Sequence, residues 1–162
     1  MADGITVQVD ASKALIKFSP AGIPTAVRNN LRRVLPGLTK RLGGLIESKL
    51  DSGLKSRRRL VVKKELVENP TAIYGRVRTI STSEPYLLPL WLEEGTKAHA
   101  IEAKNARALY FFWERMGTHV SFKRVMHPGF KGIHYSRDAF AEMESEIRNT
   151  LEVAAREGAG MV

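Results

Sequence analysis

The sequence contains no cysteine, which excludes a disulfide framework and a thiolate metal site. It contains no apolar run of the roughly eighteen residues that a bilayer-spanning helix needs. Its first residues, Met1 to Gly4, lack the basic and apolar regions of a secretory signal. These absences predict a protein that is made and retained in a reducing cytoplasm, without a membrane partner.

Acidic residues are scarce in the first part of the chain. Residues 1–64 carry 14 Lys/Arg and 4 Asp/Glu, a balance of +10, whereas residues 65–162 carry 12 and 13, a balance of −1. This asymmetry favours a surface that faces a polyanion, either nucleic acid or an acidic protein. A solvated basic surface without a partner explains the same numbers equally well.

No catalytic or metal-binding pattern is present. The histidines are His99, His119, His127 and His134. They are not spaced as a helical pair, and no cysteine or Asp cluster joins them. The chain also lacks a nucleophile elbow and a phosphate-binding loop. We therefore predict no enzyme activity, no cofactor and no metal, and we expect His127 to make a structural hydrogen bond at a strand end.

Aromatic residues make up only 7% of the chain, and their mass is concentrated between residues 89 and 129. Trp91, Phe111, Phe112 and Trp113 have side chains that can stack on nucleic-acid bases. An apolar setting at strand spacing instead favours a place in the core. The core is the interpretation that we expect.

The length of 162 residues is typical of one domain that buries about two-thirds of its unfolded surface. A hydrophobic share of 43% excludes wholesale disorder. Residues 1–22 are expected to form a strand or an arm, because Ile5 to Val9 alternates apolar and polar side chains. Residues 158–162 are expected to be a frayed tail.

Two long helices are predicted. Residues 24–50 carry apolar side chains at spacings of three and four, with Gly53 placed to end the helix in a left-handed cap. Pro36-Gly37 lies inside this pattern and predicts a kink or a break. A second helix should start at a Ser136 cap and end near Arg156. Its buried stripe would comprise Phe140, Met143, Ile147, Leu151 and Ala154.

The strands are predicted between these helices. Residues 60–67 and 72–80 are rich in β-branched side chains and flank a four-residue turn, which indicates a hairpin. A short helix at 86–94 should precede strands near 98–103, 108–113 and 120–126, of which the middle one is apolar enough to be covered on both faces. The fold class is therefore α+β, with a mainly antiparallel sheet of about four to five strands packed by the two helices.

An ordered motif then links this chain to a known family. Its residues are Glu93, Gly95, Thr96, His99, His127, Pro128 and Gly129. With the order of long helix, hairpin, motif and final helix, residues 23–157 resemble the small minor tail component family of tailed bacteriophages. Glu94 departs from the pattern where an aromatic is common, and His134-Tyr135 replaces the usual Pro-Phe.

The resemblance implies a structural virion protein without enzymatic activity. Members of that family join head to tail as neck, tail-completion or tail-terminator proteins, and they commonly form hexameric rings. Its implied partners are further copies of this chain, neighbouring connector, terminator or tail-tube proteins, and the genomic DNA that passes through the lumen. It would be assembled in the host cytoplasm and located in the virion, with the motif residues serving the fold.

Two surfaces are predicted for such a ring. The first is a DNA channel lined by Arg57, Arg58, Arg59, Lys63 and Lys64, which are dense at the base of the hairpin. The second is an acidic outer face of the last helix that contacts a neighbouring subunit through Glu142, Glu144 and Glu146. The alternative is a basic, non-sequence-specific nucleic-acid-binding protein that acts as a monomer or dimer.

Overall fold

The long first helix and the last helix pack side by side over a small antiparallel sheet. The computed structural model describes residues 5–10, 24–54, 59–69, 72–83, 87–104 and 106–160. In chain order the elements are β1 (Ile5–Asp10), α1 (Thr25–Gly53), β2 (Leu60–Glu68), β3 (Ile73–Ser81), α2 (Leu88–Glu94), β4 (Gly95–Thr96), β5 (His99–Glu102), β6 (Leu109–Trp113), β7 (Thr118–Phe122), β8 (Arg124–His127), β9 (Phe130–Lys131) and α3 (Tyr135–Gly158). The predicted α+β class is confirmed.

The strands are divided among several small sheets. β2 and β3 form the predicted hairpin, and β1 pairs with the other edge of β3, which gives the order β1-β3-β2. Three two-stranded ladders follow: β4 with β9, β5 with β8, and β6 with β7. The strand expected near 120–126 is therefore two strands, β7 and β8, and the ladders stand apart from the three-stranded sheet.

The three-stranded sheet packs against α1 through β2 and β3. Ile73, Gly75 and Val77 share the buried face, as the alternation predicts. Gly75 is required there, because a Cβ at this position would overlap the hydroxyl of Thr39 on α1. The glycine thus lets the helix approach the sheet backbone closely.

Helix α1 runs through Pro36 without a break. Leu35 and Leu38, on either side of the proline, are buried in the core. Their packing outweighs the cost of about 3 kcal/mol that a proline imposes inside a helix. The helix ends at Gly53 as expected, but Leu54 is extended and Gly53 does not adopt the left-handed cap conformation. Gly53 instead makes room for the side chain of Ile133.

Helix α3 lies antiparallel to α1 and completes the core. Met143, Ile147, Leu151 and Ala154 are buried as predicted, and Phe140 is half-buried. At the far end Gly158 packs against the backbone of Val27, so this residue, expected in a frayed tail, belongs to the packed helix. Within the described ranges, no helix combines the length and apolar character that crossing a membrane demands.

Candidate functional site

Glu93 is a buried carboxylate at the end of α2. Only 5% of it is exposed, and its Oε2 and Oε1 accept hydrogen bonds from the backbone N–H groups of Ser136 and Arg137, each at 2.9 Å. First-turn amides lack partners inside a helix, and a helix N-terminus favours negative charge. Glu93 therefore caps α3. The prediction of Ser136 as the cap is wrong, because Ser136 lies inside the first turn.

Two glycines allow the chain to cross itself next to this cap. β4 pairs with β9 in the register Gly95 to Lys131 and Thr96 to Phe130. A Cβ on Gly95 would overlap the carbonyl of Phe130, and one on Gly132 would overlap the carbonyl of Glu93. We name this region, formed by β4, β9 and Gly132, the crossing.

The motif glycines adopt backbone conformations that other residues avoid. Gly95 has φ +82° and ψ −175°, and Gly129 has φ +79°. The ψ of Gly95 is extended, so the residue turns the chain into β4 without forming a left-handed helix cap. A Cβ on Gly129 would also overlap the carbonyl of Thr96. Both glycines of the motif thus have structural roles in the fold.

The two motif histidines face each other beyond the crossing. His99 stands opposite His127 in the β5–β8 ladder, with ring centroids 5.1 Å apart. The Gly129 N–H donates to His127 Nδ1 at 3.1 Å, which is the expected structural hydrogen bond at the strand end. His99 Nδ1 lies 2.8 Å from the carbonyl of Lys97, so this nitrogen carries the proton and donates. Among the described residues, no group of three or more His, Asp or Glu is arranged to hold a metal ion.

The crossing carries a long two-stranded extension, residues 95–131, which we name the arm. β4–β9 and β5–β8 share one register, and β6–β7 forms the far end. None of the described residues in the arm is buried. The arm therefore contributes no side chain to the core.

The arm is strongly cationic. Residues 97–131 contain 7 Lys/Arg and 2 Asp/Glu, a balance of +5. The acidic groups are Glu102 and Glu114, and Arg124 forms an ion pair with Glu102 at 3.3 Å. Most of the cations in the arm are exposed.

Aromatic side chains cover both faces of residues 109–122, which we name the tip. On one face Trp113 packs edge-on against Phe122, with centroids 5.8 Å apart. On the other face Tyr110 stacks on His119 at 5.1 Å, and Phe112 meets the same imidazole at 5.2 Å. Tyr110 is 73% exposed and Phe112 is 52% exposed.

The prediction that the aromatic strand belongs to the core is therefore wrong within a single copy. Phe112 and Trp113 are exposed, and Phe111 is half-buried by its own neighbours on the tip. Trp91 on α2 is also partly exposed. The apolar pattern was interpreted correctly as a strand, but nothing in the described part of the chain covers it.

An apolar groove lies beside the crossing, at the root of the arm. Its volume is about 860 Å³. The lining residues are Leu88, Trp91, Leu92, Gly95, Thr96, Lys97, His99, Ile101, His127 and Phe130. The groove therefore has α2 on one side and the first ladders of the arm on the other, and it includes four residues of the sequence motif.

The predicted DNA-channel residues are only partly brought together. Arg57 and Arg58 lie outside the described residues. Arg59 lies immediately before β2, and Lys63 is exposed on β2. The ammonium of Lys64 pairs with Glu47 at 2.9 Å, and its stem crosses Gly43 of α1. Lys64 is thus already neutralised by its own chain.

The glutamates proposed for a subunit contact have partners within the chain. Glu142 pairs with Lys49 at 2.9 Å, and Glu146 pairs with Arg41. Glu144 pairs with Arg148 one turn along α3 at 2.7 Å. The acidic side of α3 and the basic side of α1 therefore meet each other, and a contact of these glutamates with a neighbour stays a prediction.

The charge of the arm does not stand out in the balance of −1 over residues 65–162, because acidic segments flank it on both sides. Residues 65–96 contain 2 Lys/Arg and 5 Asp/Glu, and residues 132–162 contain 3 and 6. These two acidic segments cancel the charge of the basic arm between them, and a charge balance taken over about 35 residues reveals it.

Comparisons with known proteins identify no relative, since no protein-family model, curated protein or solved structure matches this chain.

Proposed function

We propose that this chain is a structural virion protein that forms a ring at the head–tail junction of a tailed bacteriophage. It would act there as a neck, tail-completion or tail-terminator protein. The ordered motif from Glu93 to Gly129 supports this role, because it resembles that of the phage minor tail component family. The partners are further copies of the chain, six in the simplest ring, and the adjoining connector, terminator or tail-tube proteins.

The observation that carries the proposal is the exposed apolar surface of the arm. The large exposed apolar side chains of the arm are Ile101, Tyr110, Phe112, Trp113, Met116, Phe122, Met126 and Phe130. At about 200 Å² for each such side chain, their exposed fractions amount to roughly 800 Å², divided between the two faces of the ribbon. A monomer rarely exposes a contiguous apolar patch of more than a few hundred Å², and each partner in a stable interface covers about 800 Å². The arm therefore has the size and chemistry of a protein-binding element.

The motif explains how such an arm is held. A two-stranded ribbon by itself is marginally stable in water. Here Glu93 ties the root of the arm to the start of α3, and the backbone at Gly95 and Gly132 leaves no room for a side chain. The root is thereby anchored to the core while the tip extends to a partner. This arrangement suits a subunit that must hold its arm in a fixed orientation towards a partner.

In this ring the lumen would carry the genome. Of the five expected channel residues, Arg59 and Lys63 would face the duplex, and Lys64 would contribute less because Glu47 neutralises it. Arg57 and Arg58 lie outside the described residues. Each cation near a phosphate would release about one counterion, so contact would be non-specific and would weaken with salt. Weak binding is appropriate, because the duplex has to slide through the ring.

The second candidate is a nucleic-acid-binding protein that acts as a monomer or dimer. One observation favours it: the arm combines a charge of +5 with exposed Tyr110 and Phe112. Single-strand binding surfaces combine cations that follow the phosphate backbone with aromatic rings on which the bases stack. This candidate predicts strong, salt-sensitive binding by the isolated chain.

Sedimentation velocity and negative-stain images of the purified chain, over a rising series of concentrations, test the two candidates. The ring predicts closed annular particles at high concentration, and duplex binding that is weak until assembly. A chain that stays monomeric at every concentration and binds nucleic acid tightly would favour the second candidate. A monomer that binds neither itself nor nucleic acid would contradict both.

A further inference from the structure

We infer that the tip of one copy occupies the apolar groove of the next copy, with Tyr110 and Phe112 as its anchors. The inference rests on the proposed ring and adds the contact that would build it. It specifies a heterologous interface, in which two different surfaces of the same chain meet. Such an interface closes into a ring when the rotation between copies permits.

The face of the tip that carries Tyr110 is the better candidate for insertion. Tyr110 and Phe112 are the most exposed aromatic side chains in the described residues, and they flank His119. On the opposite face, Phe111, Trp113 and Phe122 pack against one another and so partly cover that face. Exposed Tyr side chains are common binding anchors, because a rigid apolar ring ends in a hydroxyl that can form a hydrogen bond.

The groove has the matching character. Leu88, Trp91 and Phe130 supply apolar walls, and Lys97, His99 and His127 supply polar groups at the side of the arm. A volume of about 860 Å³ lies within the range of about 300–1,000 Å³ that suits several inserted groups. Apolar walls with a few polar groups are the arrangement that an amphipathic tyrosine requires.

A copy does not fill its own groove with its own tip. His99, Ile101 and His127, which line the groove, belong to the β5–β8 ladder, and no residue of the tip lines it. The tip forms the next ladder along the same ribbon, β6–β7. The inference therefore places the tip in the groove of another copy. Both surfaces remain uncovered in a monomer, and one contact covers both.

The absence of native cysteine permits a direct test by pairwise cross-linking. Ser121→Cys places a thiol on the inserted face of the tip, opposite Tyr110, and Ile101→Cys places one in the groove. Two single-cysteine proteins with tags of different size are mixed, concentrated and oxidised. We expect a disulfide between the two different proteins. The matched control pairs Ser121→Cys with Val153→Cys on exposed α3, where we expect none.

A second measurement uses self-association. Tyr110→Ser and Phe112→Ser should each weaken association at least about 30-fold, as expected for anchor side chains. Val153→Ser removes an apolar side chain of similar exposure, 54%, and should leave association unchanged. Because the tip adds nothing to the core, the two tip variants should keep the thermal unfolding midpoint of the parent.

The outcomes separate the inference from the proposed function. Rings that form while Ser121→Cys cross-links only to itself would overturn the tip-in-groove contact and leave the ring intact. A parent protein that never self-associates would overturn both. Tip variants that assemble normally but lose binding to a duplex or single-stranded oligonucleotide would overturn the contact and identify the tip as a nucleic-acid surface.

Discussion

The carboxylate of Glu93 holds the backbone N–H of Ser136, which lies 43 residues later in the chain. One residue thereby ends α2 and begins α3, and the entire arm is inserted between these two helices. The backbone at Gly132, just beyond the arm, also passes directly against the carbonyl of Glu93.

Loss of the Glu93 cap should destabilise the protein. We expect Glu93→Ala to lower the free energy of unfolding by about 1–3 kcal/mol, because buried first-turn amides of α3 would lose their acceptor. Glu94→Ala, at the exposed neighbouring residue, should change it by no more than about 0.5 kcal/mol. Urea unfolding followed by circular dichroism measures both. Equal effects of the two substitutions would contradict the capping role.

The glycines of the crossing should resist substitution far more than a helical glycine. Gly132→Ala places a methyl group onto the carbonyl of Glu93, and we expect a loss of at least about 2 kcal/mol. Gly44→Ala is the matched control, since Gly44 lies in α1 with open space around it. That change should stabilise the protein by about 0.5–1 kcal/mol. Thermal unfolding of the two variants should therefore shift in opposite directions.

Tyr135 should make the fold sensitive to alkali. Burial, followed by the charge of Glu93, raises the pKa of Tyr135 from 10.0 to about 12. Because the pKa of Tyr135 is higher in the folded state than in the unfolded state, its contribution to the free energy of unfolding is fully present below pH 10. That contribution is lost between pH 10 and 12. The loss approaches roughly 2–3 kcal/mol across that window. In Tyr135→Phe this part of the pH dependence should disappear, and an unchanged profile would exclude Tyr135 as its source.

Charge reversal in the ion pairs between α1 and α3 should separate their effect on stability from their effect on assembly. Glu142→Lys breaks the pair with Lys49 and should cost no more than about 1 kcal/mol, because both groups are partly solvated. Adding Lys49→Glu restores the pair and the stability. If the acidic face also contacts a neighbour, the double variant still fails to assemble. Normal assembly by the double variant would assign Glu142 to its own chain alone.

Lys63 and Lys64 should differ in their contribution to DNA binding. Lys63 is exposed, whereas Lys64 is paired with Glu47. In the assembled protein, Lys63→Gln should reduce the slope of log affinity against log salt by about one, and Lys64→Gln should reduce it by less. Filter binding of duplex DNA across a salt series measures the slopes. Equal slopes for Lys63→Gln and the parent would place Lys63 away from the channel.

The sequence predicts local structure well wherever periodicity decides it. The stripe of α1, the alternation of β3 and the stripe of α3 were each predicted with nearly the observed residues. Tertiary contacts decided the rest. Neighbouring leucines overrode Pro36, and a carboxylate 43 residues away replaced Ser136 as a cap. Neither effect can be predicted from the residues next to Pro36 or Ser136 in the sequence.

The motif residues lie close together in the fold, but the prediction that the aromatic strand beyond them belongs to the core is wrong. The stretch around Glu93 and His127 does form one structural unit, and an ordered motif was enough to find it. Apolar side chains such as Phe112 give the same strand pattern whether their own chain or another copy covers them. The sequence pattern therefore indicates an apolar strand, but it does not indicate whether the strand is covered by its own chain or by another copy.

The antiparallel packing of α1 on α3 has a consequence for synthesis on the ribosome. Asn30 near the start of α1 donates to the carbonyl of Ala154 near the end of α3, at 3.2 Å. Roughly 80 residues separate the end of one helix from the start of the other, and a ribosome adds about 5–20 residues per second. For several seconds in each round of translation, α1 thus emerges with part of its leucine stripe unmatched. During that interval the nascent chain exposes apolar surface of the kind that chaperones bind, and α3 ends the exposure when it docks.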